Sequence, residues 1–144
     1  MKLQRTALLF LATSVLVAPA AAVAQVATSD GAIERLRPGE FLWAPDIAPA
    51  GPVTIVVSLP AQRAFVYRNG VPIGVSTVST GKPGHATPTG VFTILQKKRD
   101  HTSNLYANAP MPFMQRLTWD GVALHGGRLP GYPASHGCVR LPLD

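Results

Sequence analysis

The residues of this sequence that are best suited to catalysis are its single cysteine, Cys138, and a preceding histidine, His125. His125 closes one predicted strand, and Cys138 opens the next short apolar stretch, Val139 to Leu141. If the two strands are neighbours, the thiol and the imidazole lie at one edge of a sheet, within hydrogen-bond reach of each other. A thiol is mostly protonated at neutral pH and needs a base. The pair therefore predicts acyl transfer with Cys138 as the nucleophile and His125 as its base.

The neighbours of this pair can complete such a site. Gly126 lets the backbone fold back, so that its carbonyl can accept the second imidazole N–H and fix the tautomer of His125. Gly137 leaves room for a substrate, and consecutive backbone N–H groups within 136–138 can form an oxyanion hole. Arg140 follows the thiol on the same strand face and can hold a carboxylate or support the loop.

Other interpretations of the same residues remain open. A lone cysteine is more often a buried small hydrophobic residue than a nucleophile. His136 is more often bonded to backbone in a tight loop than in contact with substrate, and a salt bridge is an equal alternative for Arg140. A metal site built from His125, His136 and Cys138 matches no common structural zinc spacing. We therefore expect neither a metal nor another cofactor.

The first residues have the pattern of an export signal. Lys2 and Arg5 precede an apolar run from Ala7 to Val17, and small residues at 22–24 fit the rule for signal peptidase cleavage. The apolar run also approaches the roughly 17 to 25 residues that span a bilayer. Pro19 and the alanine-rich exit nevertheless favour cleavage over a membrane anchor.

We therefore predict a signal peptide over residues 1–24 and a protein exported to the periplasm or cell wall, with no stable membrane span after cleavage. Cysteines in that oxidising compartment are usually paired, so a lone one suggests a reactive thiol, an intermolecular bridge or a buried residue. The whole chain has a net charge of +6. Without Lys2 and Arg5, 11 basic residues oppose 7 acidic ones, which leaves +4. This charge is dispersed and indicates no nucleic-acid partner.

A chain of 144 residues is sized for one domain. We assign residues 25–52 to an N-terminal arm or linker and residues 53–144 to the domain. Alternating apolar residues and turn-forming pairs predict that this domain is mainly β. Strands are predicted over 53–59 and 91–96. Two hairpins are predicted, one of 65–68 with 71–79 about Asn69-Gly70 and one of 113–118 with 122–125 about Asp120-Gly121. A loop over 81–90 and a long surface segment over 100–112 connect these elements.

Some of these elements carry further expectations. Pro72 lacks a backbone donor, so the strand over 71–79 is expected at a sheet edge. A long polar connection such as 100–112 often covers a functional cleft. His85 and His101 lie in predicted loops and are expected to face solvent, unless those loops fold over the sheet.

The residues around the candidate nucleophile also resemble a known signature. The segments His125-Gly126-Gly127 and Ser135-His136-Gly137-Cys138-Val139-Arg140-Leu141 are similar to the motif of the YkuD-type L,D-transpeptidases. The similarity covers most of the chain from Val53, through the segments Ser79 to Gly84, Thr87 to Phe92 and Leu129 to Ala134. This resemblance implies a mainly β, sandwich-type catalytic domain that rebuilds bacterial peptidoglycan outside the cytoplasmic membrane.

Carried over by position, the resemblance implies that Cys138 is the nucleophile and His125 the proton acceptor and donor. Gly126 would orient His125 through its carbonyl. The residues implied to frame the nucleophile and its oxyanion site are Ser135, His136, Gly137 and Arg140. The family's usual donor is a tetrapeptide stem. Cys138 would attack the carbonyl of its third residue, a diamino acid, expelling the terminal D-alanine and leaving a thioester that an amine resolves.

The resemblance leaves the acyl acceptor open. Family acceptors are the side-chain amine of another stem, which gives a 3-3 cross-link, an outer-membrane lipoprotein, or a free D-amino acid. Water as acceptor would instead make the chain a hydrolase on the same fold. Family domains continue after the nucleophile motif through a short helix and a further strand, so a domain ending at Asp144 is expected to be C-terminally incomplete. An inactive wall-binding module is the third alternative.

Overall fold

The computed structural model describes residues 30–143, and most of the regular structure in this part of the chain is β-strand. The predicted signal peptide lies outside the described residues. The strands form two four-stranded sheets, which confirms the mainly β prediction. In chain order the elements are α1 (Asp30–Glu34), β1 (Phe41–Trp43), a 3₁₀ turn (Pro45–Ile47), β2 (Val53–Ser58), β3 (Arg63–Arg68), β4 (Val71–Thr77), β5 (Gln96–Lys98), β6 (Met114–Arg116), β7 (Ala123–Gly126) and β8 (Val139–Leu141).

The first sheet is antiparallel, with strand order β1-β4-β3-β2. Its β3–β4 hairpin turns at Asn69 and Gly70, which have positive φ angles of 50° and 76°. A two-residue type I′ turn needs positive φ at both positions, and Asn-Gly supplies it. The first predicted hairpin is therefore confirmed.

The expectation that Pro72 places its strand at a sheet edge is wrong. β4 lies inside the sheet, between β1 and β3. The last residue pair between β1 and β4 joins Trp43 to Gly74, so Pro72 lies beyond the end of β1. No partner on that side needs the N–H that proline lacks. β1 itself comes from the segment that the sequence assigns to an arm or linker.

The second sheet has strand order β5-β6-β7-β8. β6 and β7 form an antiparallel pair that turns through Asp120-Gly121, with Gly121 at a φ of +113°, which confirms the second predicted hairpin. β7 and β8 are parallel. The predicted strand over 91–96 is wrong for most of its length, because β5 begins only at Gln96. Its neighbour β6 is three residues long and leaves 91–94 without a ladder to join.

The main hydrophobic core lies between the two sheets. Its fully buried members come from both of them: Ala64, Val78, Leu124 and Val139. Two backbone hydrogen bonds also join the sheets, from Ser79 N–H to the Arg140 carbonyl at 3.1 Å and from Arg140 N–H to the Ser79 carbonyl at 3.0 Å. β8 is therefore held by β7 on one side and by the end of the first sheet on the other.

We expect Ile73→Ala to destabilise the domain by about 2–4 kcal/mol, because Ile73 lies on β4 with no exposed surface and its truncation leaves a cavity. Urea unfolding measures this change in the free energy of unfolding. Val71→Ala is the matched control, since Val71 lies on the same strand with 38% of its surface exposed. Equal losses for the two variants would contradict the burial of Ile73.

Candidate active site

The parallel pairing of β7 with β8 places both candidate catalytic residues. Leu124 lies opposite Val139, and His125 lies opposite Arg140. Paired residues on neighbouring parallel strands project to the same face, and side chains alternate along each strand. Cys138 therefore shares a face with Arg140 and His125, whereas Leu124 and Val139 point into the core.

This face opens onto a cavity of about 240 Å³. Cys138 is half-buried rather than sealed inside the core. Gly126 and Gly137, also predicted at the site, are buried. The other predicted site residues all line the cavity: His125, Ser135, His136, Cys138 and Arg140. The structure thus gathers the thiol, the imidazole and the residues around them at one accessible place.

The imidazole of His125 is buried and held by its backbone neighbour. Its Nδ1 lies 2.8 Å from the carbonyl oxygen of Gly126. A carbonyl oxygen only accepts hydrogen bonds, so Nδ1 carries the proton and Nε2 keeps the lone pair that a general base needs. Burial lowers the pKa of His125 from its usual 6.5. The Gly126 bond acts in the opposite direction, and the positive charge of Arg140 lowers the pKa further.

The surroundings of the Cys138 thiol favour its protonated form. Its Sγ donates to the carbonyl oxygen of Gly121, 3.6 Å away. It packs against a small buried cluster: Met111, Met114 and Ala123. Burial raises the pKa of the thiol above its ordinary value, while the Ala123 N–H and the positive charges of Arg140 and Arg116 act in the opposite direction. Burial thus favours the neutral form of both groups, and the hydrogen bond of the thiol goes to the Gly121 carbonyl.

The loop before Cys138 is fixed by the side chain of Ser135. Its Oγ donates to the carbonyl oxygen of Cys138 at 2.6 Å and accepts the N–H of Gly137 at 3.1 Å. Gly137 has a φ of +115°, a conformation that residues with side chains rarely adopt. Ser135 thus closes the tight turn that presents the thiol. Because the Gly137 N–H is engaged, the N–H groups of His136 and Cys138 are the better candidates for binding an oxyanion.

Thr87 ties a second loop to this turn, although it is not among the predicted site residues. Its buried hydroxyl donates to the carbonyl oxygen of Gly137 at 2.8 Å and accepts the N–H of Gly81 at 2.9 Å. Thr87 and Gly137 are 50 residues apart in the chain. Local spacing gives no sign of such a contact, and the only signal was the place of Thr87 in one of the upstream similar segments.

The opposite wall of the cavity comes from the predicted surface segment 100–112. The buried Ser103 hydroxyl accepts the N–H groups of Leu105 and Tyr106, each at 3.1 Å, which holds the tip of the segment in a tight turn. Both residues line the cavity, and so does His101, which is half-buried rather than fully solvent-facing. The segment therefore covers the cleft, as the sequence suggested for a connection of this length.

His136 stands where three loops meet at the mouth of the cavity. Its exposed ring lies 4.5 Å from the His85 ring and 4.6 Å from the Tyr106 ring, measured between centroids. Desolvation and then the nearby positive charge, to which Lys82 contributes most, lower the pKa of His136. A neutral ring here packs more easily against its two aromatic neighbours.

The cavity is electropositive. Arg116, Arg128 and Arg140 line it, and no Asp or Glu does so among the described residues. Such a cavity favours ligands that carry carboxylates. Within residues 30–143 no three potential metal ligands cluster together. No helix in the same range has the length and apolar character needed to cross a bilayer.

The fold and the site define a class of two-sheet β protein with a thiol and a tautomer-fixed imidazole at one cavity. Comparison with known proteins gives the family within that class. Residues 52–144 match the YkuD family, the L,D-transpeptidase catalytic domain, and the chain belongs to this family. The match covers more than half of the chain and confirms the resemblance drawn from the nucleophile motif.

Solved structures of L,D-transpeptidases share this fold. One from Stackebrandtia nassauensis is 32% identical, with a TM-score of 0.58 over 67% of this chain and 47% of its own. One from Mycobacterium tuberculosis is 26% identical, with a TM-score of 0.58 over 62% and 48%. L,D-transpeptidase 3 of that species, in complex with a faropenem-derived adduct, is 25% identical, with a TM-score of 0.56 over 62% and 51%. The chain thus spans about half the length of these structures. A search of the curated proteins found no match.

We expect the rate of Cys138 alkylation by iodoacetamide to rise with pH, with a midpoint above the ordinary pKa of a thiol. Because burial keeps the thiol protonated, the rate should still be rising at pH 9.0, the ordinary thiol pKa. Mass spectrometry of the labelled protein at increasing pH measures this rate. Cys138 is the only cysteine, so Cys138→Ala gives the unlabelled blank. A midpoint far below 9.0 would instead indicate a thiolate–imidazolium pair at rest.

Thr87→Val should lower the free energy of unfolding by about 1–3 kcal/mol, because it keeps the shape of the side chain but leaves the Gly137 carbonyl and the Gly81 N–H without their partner. Chemical denaturation measures this loss. Thr89→Val is the matched control, since Thr89 is exposed in the same loop. If both variants were as stable as the wild type, the Thr87 bonds would contribute nothing to holding the turn.

Proposed function

We propose that this chain is an L,D-transpeptidase that acts on stem peptides of bacterial peptidoglycan through a thioester on Cys138. The observation that carries the proposal is the parallel β7–β8 pairing, which brings a half-buried thiol and the His125 imidazole to one face of one cavity. Family membership supplies the class of reaction. The faropenem-derived adduct in L,D-transpeptidase 3 of Mycobacterium tuberculosis supports covalent chemistry in this family.

In the first half-reaction, Nε2 of His125 takes the proton from the Cys138 thiol, and the sulfur attacks the carbonyl carbon of the third stem residue, a diamino acid. Backbone N–H groups of His136 and Cys138 stabilise the oxyanion that forms. When this intermediate collapses, the amide bond breaks, and the amine of the departing D-alanine takes the proton from His125. A thioester between Cys138 and the stem remains.

The charges around the site favour this step. Arg140 and Arg116 lower the pKa of the Cys138 thiol against the larger effect of burial, so negative charge on the sulfur is stabilised as it develops. The electropositive cavity also suits the terminal carboxylate of the stem. Because burial dominates, the thiolate forms during the reaction rather than before it.

In the second half-reaction, an amine acceptor attacks the thioester while Nε2 of His125 takes its proton, and the sulfur leaves and is protonated again. The acceptor is the side-chain amine of another stem, an outer-membrane lipoprotein or a free D-amino acid. An electropositive cavity favours entry of the acceptor as a neutral amine rather than an ammonium ion. The reaction takes place in the periplasm or cell wall, after removal of the predicted signal peptide.

Incubation with tetrapeptide muropeptides tests the proposal. We expect release of D-alanine, a mass increase on Cys138, and a new product when a D-amino acid is added as acceptor. Cys138→Ala should abolish all three. His125→Gln should slow D-alanine release by about 10²–10⁴-fold, because it removes the general base. Circular dichroism of both variants controls for folding.

The pattern of products separates the alternatives. D-Alanine release that gives only the hydrolysed stem, whatever amine is added, would make the chain a hydrolase. A folded protein that neither releases D-alanine nor gains mass on Cys138, yet is retained by peptidoglycan, would be a non-catalytic wall-binding module and would overturn the proposal.

A further inference from the structure

Gly127 directly follows β7. The absence of a side chain matters there for the space that it leaves, and not for a backbone conformation that only glycine adopts. It is not among the glycines with positive φ, so its backbone would accept a side chain. Its N–H bonds to the carbonyl oxygen of Leu141 at 2.9 Å, which keeps it in register with β8. Its lack of a side chain therefore matters through the space that it leaves.

Arg140 occupies that space. A Cβ placed on Gly127 would lie 3.3 Å from Cδ and 3.5 Å from Cγ of Arg140, and 3.7 Å from Cε1 of His125. Contacts near 3.3 Å are tighter than ordinary van der Waals packing, so the arginine would have to move. Alternation along the strand puts Gly127 on the face of His125, and Arg140 is the residue paired with His125 across the ladder.

We propose that Gly127 is a positioning residue for the Cys138–His125 pair: it lets Arg140 lie beside the imidazole, where the guanidinium charge disfavours protonated His125 and favours negative charge on the Cys138 sulfur. The inference rests on the cysteine chemistry proposed above, but it does not depend on the identity of the donor or acceptor. A side chain at this position crowds the stem of Arg140, so the guanidinium has to shift relative to both groups.

The electrostatics of the site agree with this role. Burial is the largest influence on both groups, raising the pKa of Cys138 and lowering that of His125, and the charge of Arg140 lowers both. Arg116 from β6 also acts on Cys138, and His101 from segment 100–112 also acts on His125. No atom of Arg116 or His101 is among the three heavy atoms closest to a Cβ placed on Gly127. A substitution at Gly127 is therefore expected to act first on Arg140, whose stem a Cβ would crowd, whereas the His125 ring would lie at an ordinary contact distance.

The rate of Cys138 alkylation by iodoacetamide as a function of pH tests the proposal in the full chain. We expect Gly127→Val and Arg140→Gln each to slow alkylation at neutral pH by about three- to tenfold and to move the midpoint to higher pH, because each weakens the favourable charge near the sulfur. Arg140→Lys, which keeps the charge, should stay nearer the wild type. Gly31→Val is the matched control, since Gly31 is another glycine without positive φ and lies in α1.

The double variant distinguishes positioning from a merely structural effect. If Gly127 acts through Arg140, adding Gly127→Val to Arg140→Gln should change the alkylation profile no further. If Gly127→Val slowed alkylation equally in the wild type and in Arg140→Gln, or slowed it in neither, the proposal would be overturned. Should Gly127→Val fail to fold, Gly127→Ala gives the same cycle with a smaller shift, because the arginine stem then needs to move only slightly.

The proposed function and the proposed role of Gly127 are tested by different measurements, so either can be overturned without the other. D-Alanine release from tetrapeptides reports on the proposed function, whereas alkylation reports only on the thiol and its neighbours. An intact alkylation cycle without D-alanine release would overturn the assigned reaction and support the role of Gly127. Normal D-alanine release with Gly127→Val and Arg140→Gln acting independently on alkylation would overturn the role of Gly127 alone.

Discussion

The parallel pairing of β7 with β8 is the constraint on which the site depends. Side chains alternate along a strand, so a slip of one residue would turn Cys138 into the core and bring Val139 to the cavity. The register is held from both sides. Leu124 and Val139 share the core between the sheets, and Ser79 exchanges two backbone hydrogen bonds with Arg140. The strand that follows Cys138 is thus anchored by both sheets at once.

Burial and charge act against each other at this site, and burial dominates. Burial against Met111, Met114 and Ala123 raises the pKa of the Cys138 thiol, whereas the positive charges of Arg140 and Arg116 act to lower it. Oxidants attack thiolates more readily than thiols. Burial therefore makes the Cys138 thiol less prone to oxidation, and the Gly126 carbonyl fixes the tautomer of the neighbouring His125 imidazole.

Local sequence patterns predict much of this fold and the shared position of Cys138 and His125. The two hairpins follow from Asn-Gly and Asp-Gly turns, and the shared face of Cys138 and His125 follows from strand ends and alternation. The failures all concern contacts between distant segments. The interior position of β4 depends on β1, and in the described part of the chain the alternating residues before Gln96 meet no partner strand. Likewise, the bond between Thr87 and Gly137 leaves no trace in local spacing.

The outer strand of the second sheet has a consequence for how copies of the chain meet. β5 has a neighbour on one side only within the described residues, and the residues before it include Val91, whose side chain is fully exposed. Such an edge invites another chain to add itself as a further strand. The exposed side chains of Lys97 and Lys98 oppose this, because two such edges brought together would set like charges against each other. Among residues 30–143, two ammonium groups rather than a covering element oppose the addition of a further strand at this edge.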